Sequence, residues 1–376
     1  MKIALLTGAF KNAGDYLITE RAEALLMHRY PSATISRYER NRNLESVLED
    51  LNKSEVVVFA GGPGWLSNMY PEKFPLVSDL SELVPPVFAL GMGCKTKNEK
   101  INRIAFSSQS ELLIERLYND GFHLGCRDVL TYRVLKESGL KNVLMTGCPA
   151  WYDLEYVHQT SLRSALAEGY VKKIAISDPA NIINLQLAAN LVSLCRDKYK
   201  PEEIVFTFHR GWNEDKYTSK DVSDKQQKLK AWLIQNKVRV VDLSYSAKGF
   251  SEYDDCDMHI GFRVHAHIYC LSHRIPSFLI EEDGRGFGVN ESLGLAHIRS
   301  KKSEGILGRM QQYSGIIPER FSTIANDSRN TFSLLDKEIN YEFASNWQHH
   351  LNAFRKMKKT FDVMCSHIDE ISAKIN

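Results

Sequence analysis

What this sequence lacks narrows it before anything in it is read for function. No apolar stretch approaches the roughly 20 residues that a membrane helix needs, which argues against an integral membrane protein. The seven cysteines (Cys94, Cys126, Cys148, Cys195, Cys256, Cys270 and Cys365) are odd in number, widely spaced and never form Cys-x-x-Cys. That usage fits a reducing cytoplasm and argues against structural zinc. Twenty-two glycines and 11 prolines in 376 residues are too few and too scattered for a linker or low-complexity chain. Charge of one sign is missing too: 48 Lys plus Arg face 46 Asp plus Glu, interspersed. There is then no broad field for nucleic acid, and an anionic ligand must be held locally. Self-similarity at a fixed short period is absent, which excludes a solenoid or propeller. The opening run Met1-Lys2-Ile3-Ala4-Leu5-Leu6-Thr7-Gly8 has one cation and an apolar core far shorter than a signal peptide's, so it reads as a buried first strand and argues against export.

What is present is the composition of a globular protein, 43% hydrophobic and 25% charged, at a length that favours two domains with a cleft between them as the default site. Short runs rich in β-branched residues alternate with longer segments of helical period, the pattern of parallel strands joined by crossover helices. The first half predicts strands at Ile3–Leu6, Thr34–Tyr38, Val56–Ala60, Val87–Leu90, His123–Cys126 and Val143–Thr146. The second half predicts Ile174–Ser177, Ile204–Phe208, Val238–Leu243, Met258–Gly261 and Phe278–Ile280, with a boundary near residues 155 to 172. Nearly all are apolar on both faces, as a sheet covered by helices on each side requires. From Trp347 onward, Leu351, Phe354, Met357, Phe361, Met364, Ile368 and Ile371 keep three- and four-residue spacing, which predicts one long amphipathic helix packed across the domains.

In open parallel sheets, ligands collect beyond the carboxyl ends of the strands, so residues there take priority. After the first strand, Thr7-Gly8-Ala9-Phe10-Lys11-Asn12-Ala13-Gly14-Asp15 could cradle an anion or a sugar at a helix start, although a tight turn with Asp15 as helix cap is the plainer reading. The glycine cluster Gly61-Gly62-Pro63-Gly64 after Val56–Ala60 serves a ligand or a turn equally well. Arg127 ends a strand with the fork geometry that carboxylate and phosphate prefer, while Asp128 reads as the cap of the next helix. The richest segment is His259-Ile260-Gly261-Phe262-Arg263-Val264-His265-Ala266-His267, where Arg263 and His265 meet a helix N-terminus and form an anion site beside a proton donor. His259 and His267 read as ordinary residues, and no carboxylate stands at ligand spacing, so a metal ranks below the anion site. His209 and Arg210 end another strand and could reach the cleft, although a solvated loop is the plainer reading. The acidic turn Glu281-Glu282-Asp283-Gly284-Arg285 could accept hydrogen bonds from sugar hydroxyls or simply solubilise a loop.

Taken in order, Asn12-Ala13-Gly14-Asp15, Gly61-Gly62-Pro63-Gly64, Cys126-Arg127-Asp128, Thr146-Gly147-Cys148-Pro149-Ala150, Arg263-Val264-His265, Ile275-Pro276-Ser277 and the acidic loop ending in Leu293-Gly294 resemble the polysaccharide pyruvyl transferase family. The resemblance implies an α/β fold of two Rossmann-like domains in a GT-B-like arrangement, with a long C-terminal helix. On that frame the domains are 1–160 on the acceptor side, 170–310 on the donor side and 311–376 as a helical segment across both. Phosphoenolpyruvate would be the donor, a sugar the acceptor and a pyruvate ketal the product, with no cofactor and no metal. The resemblance places donor binding and catalysis on Arg263 and His265 and aligns Arg127 with the family's Arg-Asp step. His209 and Arg210 are further donor-side candidates. Asn12, Gly14, Asp15, Gly61, Gly62, Glu282 and Asp283 are candidates for the acceptor.

One departure stands out: the family usually shows Gly-Asp-Pro where this chain has Gly147-Cys148-Pro149, which puts activity or acceptor choice in doubt. A nucleotide-sugar glycosyltransferase of similar architecture and a catalytically silent glycan-binding relative are the rival readings. The expected location is the cytoplasm, with contact at the inner face of the membrane left open should the acceptor be lipid-linked.

Overall fold

The computed structural model describes residues 1–96, 103–163, 170–300 and 324–375. Part of the expected boundary at 155–172 and the first residues of the segment 311–376 lie outside the described residues. The first half runs β1 (Lys2–Thr7), α1 (Ala13–Arg29), β2 (Thr34–Glu39), α2 (Leu48–Asn52), β3 (Val56–Phe59), β4 (Gly62–Trp65), β5 (Val87–Ala89), β6 (Met92–Cys94), α3 (Ser108–Asn119), β7 (Leu124–Cys126), α4 (Val129–Glu137) and β8 (Val143–Met145). The second half runs β9 (Lys173–Ser177), α5 (Leu185–Tyr199), β10 (Glu203–Phe208), α6 (Lys220–Gln235), β11 (Arg239–Asp242), β12 (Met258–Gly261), α7 (Val264–Ser272), β13 (Ser277–Glu281), α8 (Gly284–Leu293), β14 (Ile298–Arg299), α9 (Ile324–Ala344) and α10 (Gln348–Ile375).

Every strand pairing is parallel. The second half forms a six-stranded sheet in the order β11-β10-β9-β12-β13-β14, and the first half forms two four-stranded sheets, β2-β1-β3-β5 and β4-β6-β7-β8. Those two sheets are one bent surface in physical terms. β4 prolongs β3 after a kink at Gly61 and Gly62, with φ of 75° and 71°, and β6 prolongs β5 after a kink at Gly91, with φ of 64°. The expected strands are all present to within a residue or so, but β4 and β6 are missed by a reading that treats glycine as punctuation, because here it bends a strand path without ending it. β2 also departs from the pattern of double burial: it is an edge strand with mostly exposed or half-exposed residues.

In each sheet the strand order reverses beside the first strand, between β1 and β3 and between β9 and β12. Loops diverge at such switch points and leave a crevice at the carboxyl ends. This is the GT-B-like arrangement of two Rossmann-like sheets with their crevices facing one another. The seam is closed by main-chain bonds from Ala13 N–H to His209 O (3.0 Å) and from Tyr245 N–H to Lys11 O (2.8 Å), and by Val129 N–H to Ser292 Oγ (2.9 Å). One apolar cluster runs through it, from Leu17, Ile18 and Trp151 to Ala266, Ile268 and Leu271 and on to Phe354, Met357, Phe361 and Met364 of α10.

The 28-residue α10 carries the chain back across the seam. Near its start, His350 accepts the N–H of Ser277 at the second sheet (3.0 Å). Further on, His367 Nε2 reaches Ala89 O (3.1 Å) and Tyr30 Oη donates to Ile368 O (2.8 Å), both in the first half. Each buried Phe or Met on its apolar face contributes about 1.5–3 kcal/mol, so the helix joins the halves through packing more than through these few bonds.

Three fully buried histidines give the fold a pH signature. Burial lowers His259 to about 3 and holds His209 and His267 well below the usual histidine value. Below about pH 6.5 the unfolded chain takes up protons that these rings refuse, and each costs about 1.4 kcal/mol per further pH unit. His273, where burial is outweighed by bonds to Asp153 and Asp254, and His297, held up by Glu281, shift the opposite way. Their stabilisation is complete below pH 6.5 and is lost only at higher pH. Thermal unfolding is therefore expected to move down by several degrees between pH 6.5 and pH 5, and a midpoint that is flat or rising over that interval would contradict these protonation states.

Candidate functional site

The end of β12 is set by a chain of hydroxyls and rings. Ser177 Oγ accepts the N–H groups of Phe262 and Arg263, both at 3.1 Å. With both lone pairs used, it donates to His259 Nε2 (3.0 Å). The other ring nitrogen of His259 then donates to Ser277 Oγ (2.7 Å), which passes its own proton to His267 Nδ1 (2.8 Å). His259 and His267 are structural, as the sequence suggests, and the three nearby histidines do not converge on a common point.

Arg263 closes β12 and is the residue preceding α7. Its Nε and Nη2 grip Asp178 Oδ1 and Oδ2 at 2.6 and 2.5 Å. Asp178 is wholly buried and needs that partner. Arg263 thus lines the His265 cavity with its Nε and Nη2 committed to Asp178. Arg127 is also engaged, through Nε to Asp128 Oδ2 (2.8 Å) and Nη2 to Cys94 O (3.1 Å). Asp128 caps α4 by accepting the N–H of Thr131 (2.7 Å). Cys148, where the resembling family carries Asp, is buried with its thiol pushed up by burial to about 11. It carries no charge there, and the carboxylate bonded to Arg127 is the adjacent Asp128.

His265, in the first turn of α7, lies against α1 of the other half. A methyl group on Gly14 would stand 2.1 Å from His265 Nδ1, so only glycine admits the ring there. Burial, followed by the guanidiniums of Arg285, Arg127 and Arg263, lowers His265 to about 3 and keeps the ring neutral at ordinary pH. Asp15, one residue beyond Gly14, is shifted the other way: burial raises it, and Arg40, Arg285 and Arg210 pull it partly back. Asp15 does not cap α1. Asn12 precedes the helix, and the Asp15 N–H bonds to Asn12 O (3.0 Å).

Two cavities share Asn12 as a common wall. The first is lined by Asn12, Ala180, Phe262, Arg263, Val264, His265, Glu281, Glu282, Asp283 and Arg285. The second is lined by Gly8, Phe10, Lys11, Asn12, Asp15, Arg40, Asn41, Pro63, Lys73, Arg210 and Tyr217. Asn12 and Asp15 come together with His265 as the strand-end argument anticipates. Gly61 and Gly62 lie beneath Arg40 and Asp15.

Other expectations shift. Glu282 and Asp283, expected toward the acceptor, stand in the wall of the His265 cavity. Glu282 is saturated by Ala180 N–H, Asn181 N–H and Asn184 Nδ2, at 2.7, 3.1 and 2.7 Å. Asp283 caps α8 and holds Arg285, with Nη2 to Oδ2 at 2.7 Å. His209 is wholly buried, with Nε2 on Tyr253 Oη (2.8 Å), and lines neither cavity because its strand end faces inward. Arg210 lines the second cavity, away from the expected donor side.

Three residues are passed over by sequence reasoning. Arg40 directly follows β2 and so carries the strand-end signal, but no glycine-rich turn advertises it. Arg285 sits within an acidic loop whose carboxylates draw attention first. Lys73 lies in an irregular segment with no sequence signal at all.

Solved structures with a similar path include a putative UDP-N-acetylglucosamine 2-epimerase from Listeria monocytogenes, with TM-score 0.49, 9% identity and coverage of 94% of this chain and 90% of that one. The UDP-GlcNAc 2-epimerase from Neisseria meningitidis gives TM-score 0.46, 12% identity and coverage of 90% and 100%. The wall teichoic acid polymerase TagF gives 0.45, 11%, and coverage of 100% and 90%. At these identities and TM-scores the likeness carries no argument about chemistry. No curated protein matches the chain. The family model of polysaccharide pyruvyl transferase, however, matches residues 12–284, from Asn12 at the start of α1 to Gly284 at the start of α8, and the chain belongs to that family.

Proposed function

We propose that the protein transfers the enolpyruvyl carbons of phosphoenolpyruvate to a sugar of a glycan or glycan precursor and closes them as a pyruvate ketal. The observation that carries this reading is His265, a neutral ring set among Arg285, Arg127 and Arg263 at the N-terminus of α7. Phosphoenolpyruvate is small and carries a carboxylate and a phosphate, each of which calls for a guanidinium. Arg285 and Arg263 line the His265 cavity and stand for those groups, Arg263 also holding Asp178, while Arg127, bonded to Asp128 outside that lining, adds charge.

The same charges account for the proton. In the unliganded site burial, reinforced by three guanidiniums, keeps a positive charge off His265. A bound polyanion offsets them and lets the ring take up a proton, so an acid forms only when donor is present. That proton goes to the methylene carbon, which becomes a methyl group. The adjoining carbon, now electron-poor, takes an acceptor hydroxyl oxygen. Asp15, with its basicity raised by burial, receives the hydroxyl proton across the Asn12 wall. The C–O bond to phosphate breaks, and a second hydroxyl of the same sugar closes the ketal. Of the two hydroxyl protons, one restores the acid and the other leaves on phosphate. The His265 cavity encloses only about 30 Å³, room for about two waters. Donor entry therefore requires Arg285 to swing from Asp283 or the seam to part.

Calorimetric titration is expected to show phosphoenolpyruvate binding to the wild type and weakened at least about tenfold in Arg285→Ala, the value of one charge-assisted contact. Binding of UDP-N-acetylglucosamine in its place would move the protein to the glycosyltransferases. In His265→Ala, donor affinity should stay within about threefold while acceptor-dependent phosphate release falls by about 10²–10⁴. Collapse of donor affinity with turnover of bound donor intact would remove the acid role from His265.

A further inference from the structure

The second cavity, which encloses about 260 Å³, carries a charge that the pyruvyl reading does not use. Its one lining carboxylate is Asp15, against four cations: Lys11, Arg40, Lys73 and Arg210. Lys11 is spoken for, bonded to Asp215 Oδ2 and Thr218 Oγ1, both at 2.5 Å. Among the described residues, Arg40, Lys73 and Arg210 form no ion pair with a carboxylate.

Arg40 is the decisive member. It is 4% exposed, lies over the Phe74 ring at 5.4 Å and bonds only to main-chain carbonyls, Gly61 O at 2.5 Å and Pro63 O at 3.4 Å. Its Nε has no partner. The backbone is shaped to admit it: a methyl group on Gly8 would meet its Nη2 at 2.7 Å, and one on Gly62 at 3.0 Å. Burial lowers Arg40 to about 10, and burial together with Arg40 and Lys95 lowers Lys73. A buried guanidinium with no carboxylate bonded to it is costly, Asp15 offsets that only in part and from a distance, and a ligand carrying negative charge relieves the rest.

We propose that Arg40, Lys73 and Arg210 hold a phosphate or diphosphate attached to the acceptor sugar, so that the enzyme acts on a glycosyl phosphate or diphosphate and not on a neutral saccharide. The inference rests on the donor standing in the His265 cavity. The shared wall at Asn12 then places a sugar between the two anions, with its hydroxyls beside Asp15. Three cations against one carboxylate leave a net charge that a diphosphate matches and a neutral glycan does not.

The test uses inorganic pyrophosphate as probe, titrated calorimetrically into the full-length wild type, Arg285→Ala, Lys73→Ala and Arg210→Ala, with phosphoenolpyruvate titrated into each. Lys73 and Arg210 are partly exposed, so their variants are expected to fold even if Arg40→Met does not. The expected result is pyrophosphate binding that survives Arg285→Ala and weakens at least about tenfold in Lys73→Ala and in Arg210→Ala, while both lysine and arginine variants keep their affinity for phosphoenolpyruvate. Displacement of pyrophosphate by farnesyl diphosphate or by uridine diphosphate supports the same site and names a lipid or a nucleotide as carrier. Absence of pyrophosphate binding, or binding lost in Arg285→Ala and untouched in the other two, overturns the proposal. Should phosphoenolpyruvate bind no variant while pyrophosphate depends on Lys73 and Arg210, the anion site stands and the pyruvyl reading falls alone.

Discussion

The contact between Gly14 and the ring of His265 is the constraint on which the cleft depends. It sets the first turn of α1 directly against the first turn of α7, at a distance that no side chain at position 14 would allow. From this one approach follow the bond of Ala13 N–H to His209 O, the placing of Asn12 in the wall of both cavities and the burial that drives Asp15 and His265 in opposite directions. A carboxyl made more basic than usual and a ring made less basic than usual are suited to take up and to give up a proton respectively. Here the surroundings come from the docking of the halves, and neither half supplies them alone.

Around that contact three arginines are each bonded to a carboxylate. Arg263 has Asp178, Arg127 has Asp128 and Arg285 has Asp283. Each pairing holds a guanidinium in the unliganded protein. Two of those acids, Asp128 and Asp283, also cap helices and so tie the orientation of the charge to the secondary structure. Arg40 has carbonyls and an aromatic face around it and no acid bonded to it, as does Arg274, but of these two only Arg40 lines the second cavity.

Much of the fold is legible because a parallel sheet buried on both faces needs continuous β-branched runs, as in Val56–Phe59 and Ile174–Ser177. The long C-terminal helix is legible from the spacing of Phe354, Met357, Phe361 and Met364. The bends at Gly61 and Gly91 are not, since one glycine pattern serves a turn, a kink or a ligand loop. At the site, strand-end position found Asn12, Asp15, Arg127, Arg263 and His265. It could not show that Arg263 is held by Asp178, more than 80 residues away, or that His209 turns inward. Arg40 shows the converse: the positional argument covers it, but its lack of an acidic partner exists only in three dimensions. Cys148 is intermediate. The missing carboxylate is visible in the sequence, whereas the burial of the thiol that stands there is visible only in the structure.

The central claim is that His265 is kept neutral by burial, reinforced by the guanidiniums around it, and becomes an acid only when an anionic donor offsets those charges. Nuclear magnetic resonance of selectively labelled histidine, assigned to His265 through the His265→Ala variant and titrated from pH 8 to pH 4, tests it most directly. The account predicts a neutral ring throughout that range in the unliganded protein, in keeping with a value of about 3, and a clear upward shift when phosphoenolpyruvate is added. A ring that titrates near its ordinary value of about 6.5 without ligand, or one unmoved by saturating phosphoenolpyruvate, would contradict it.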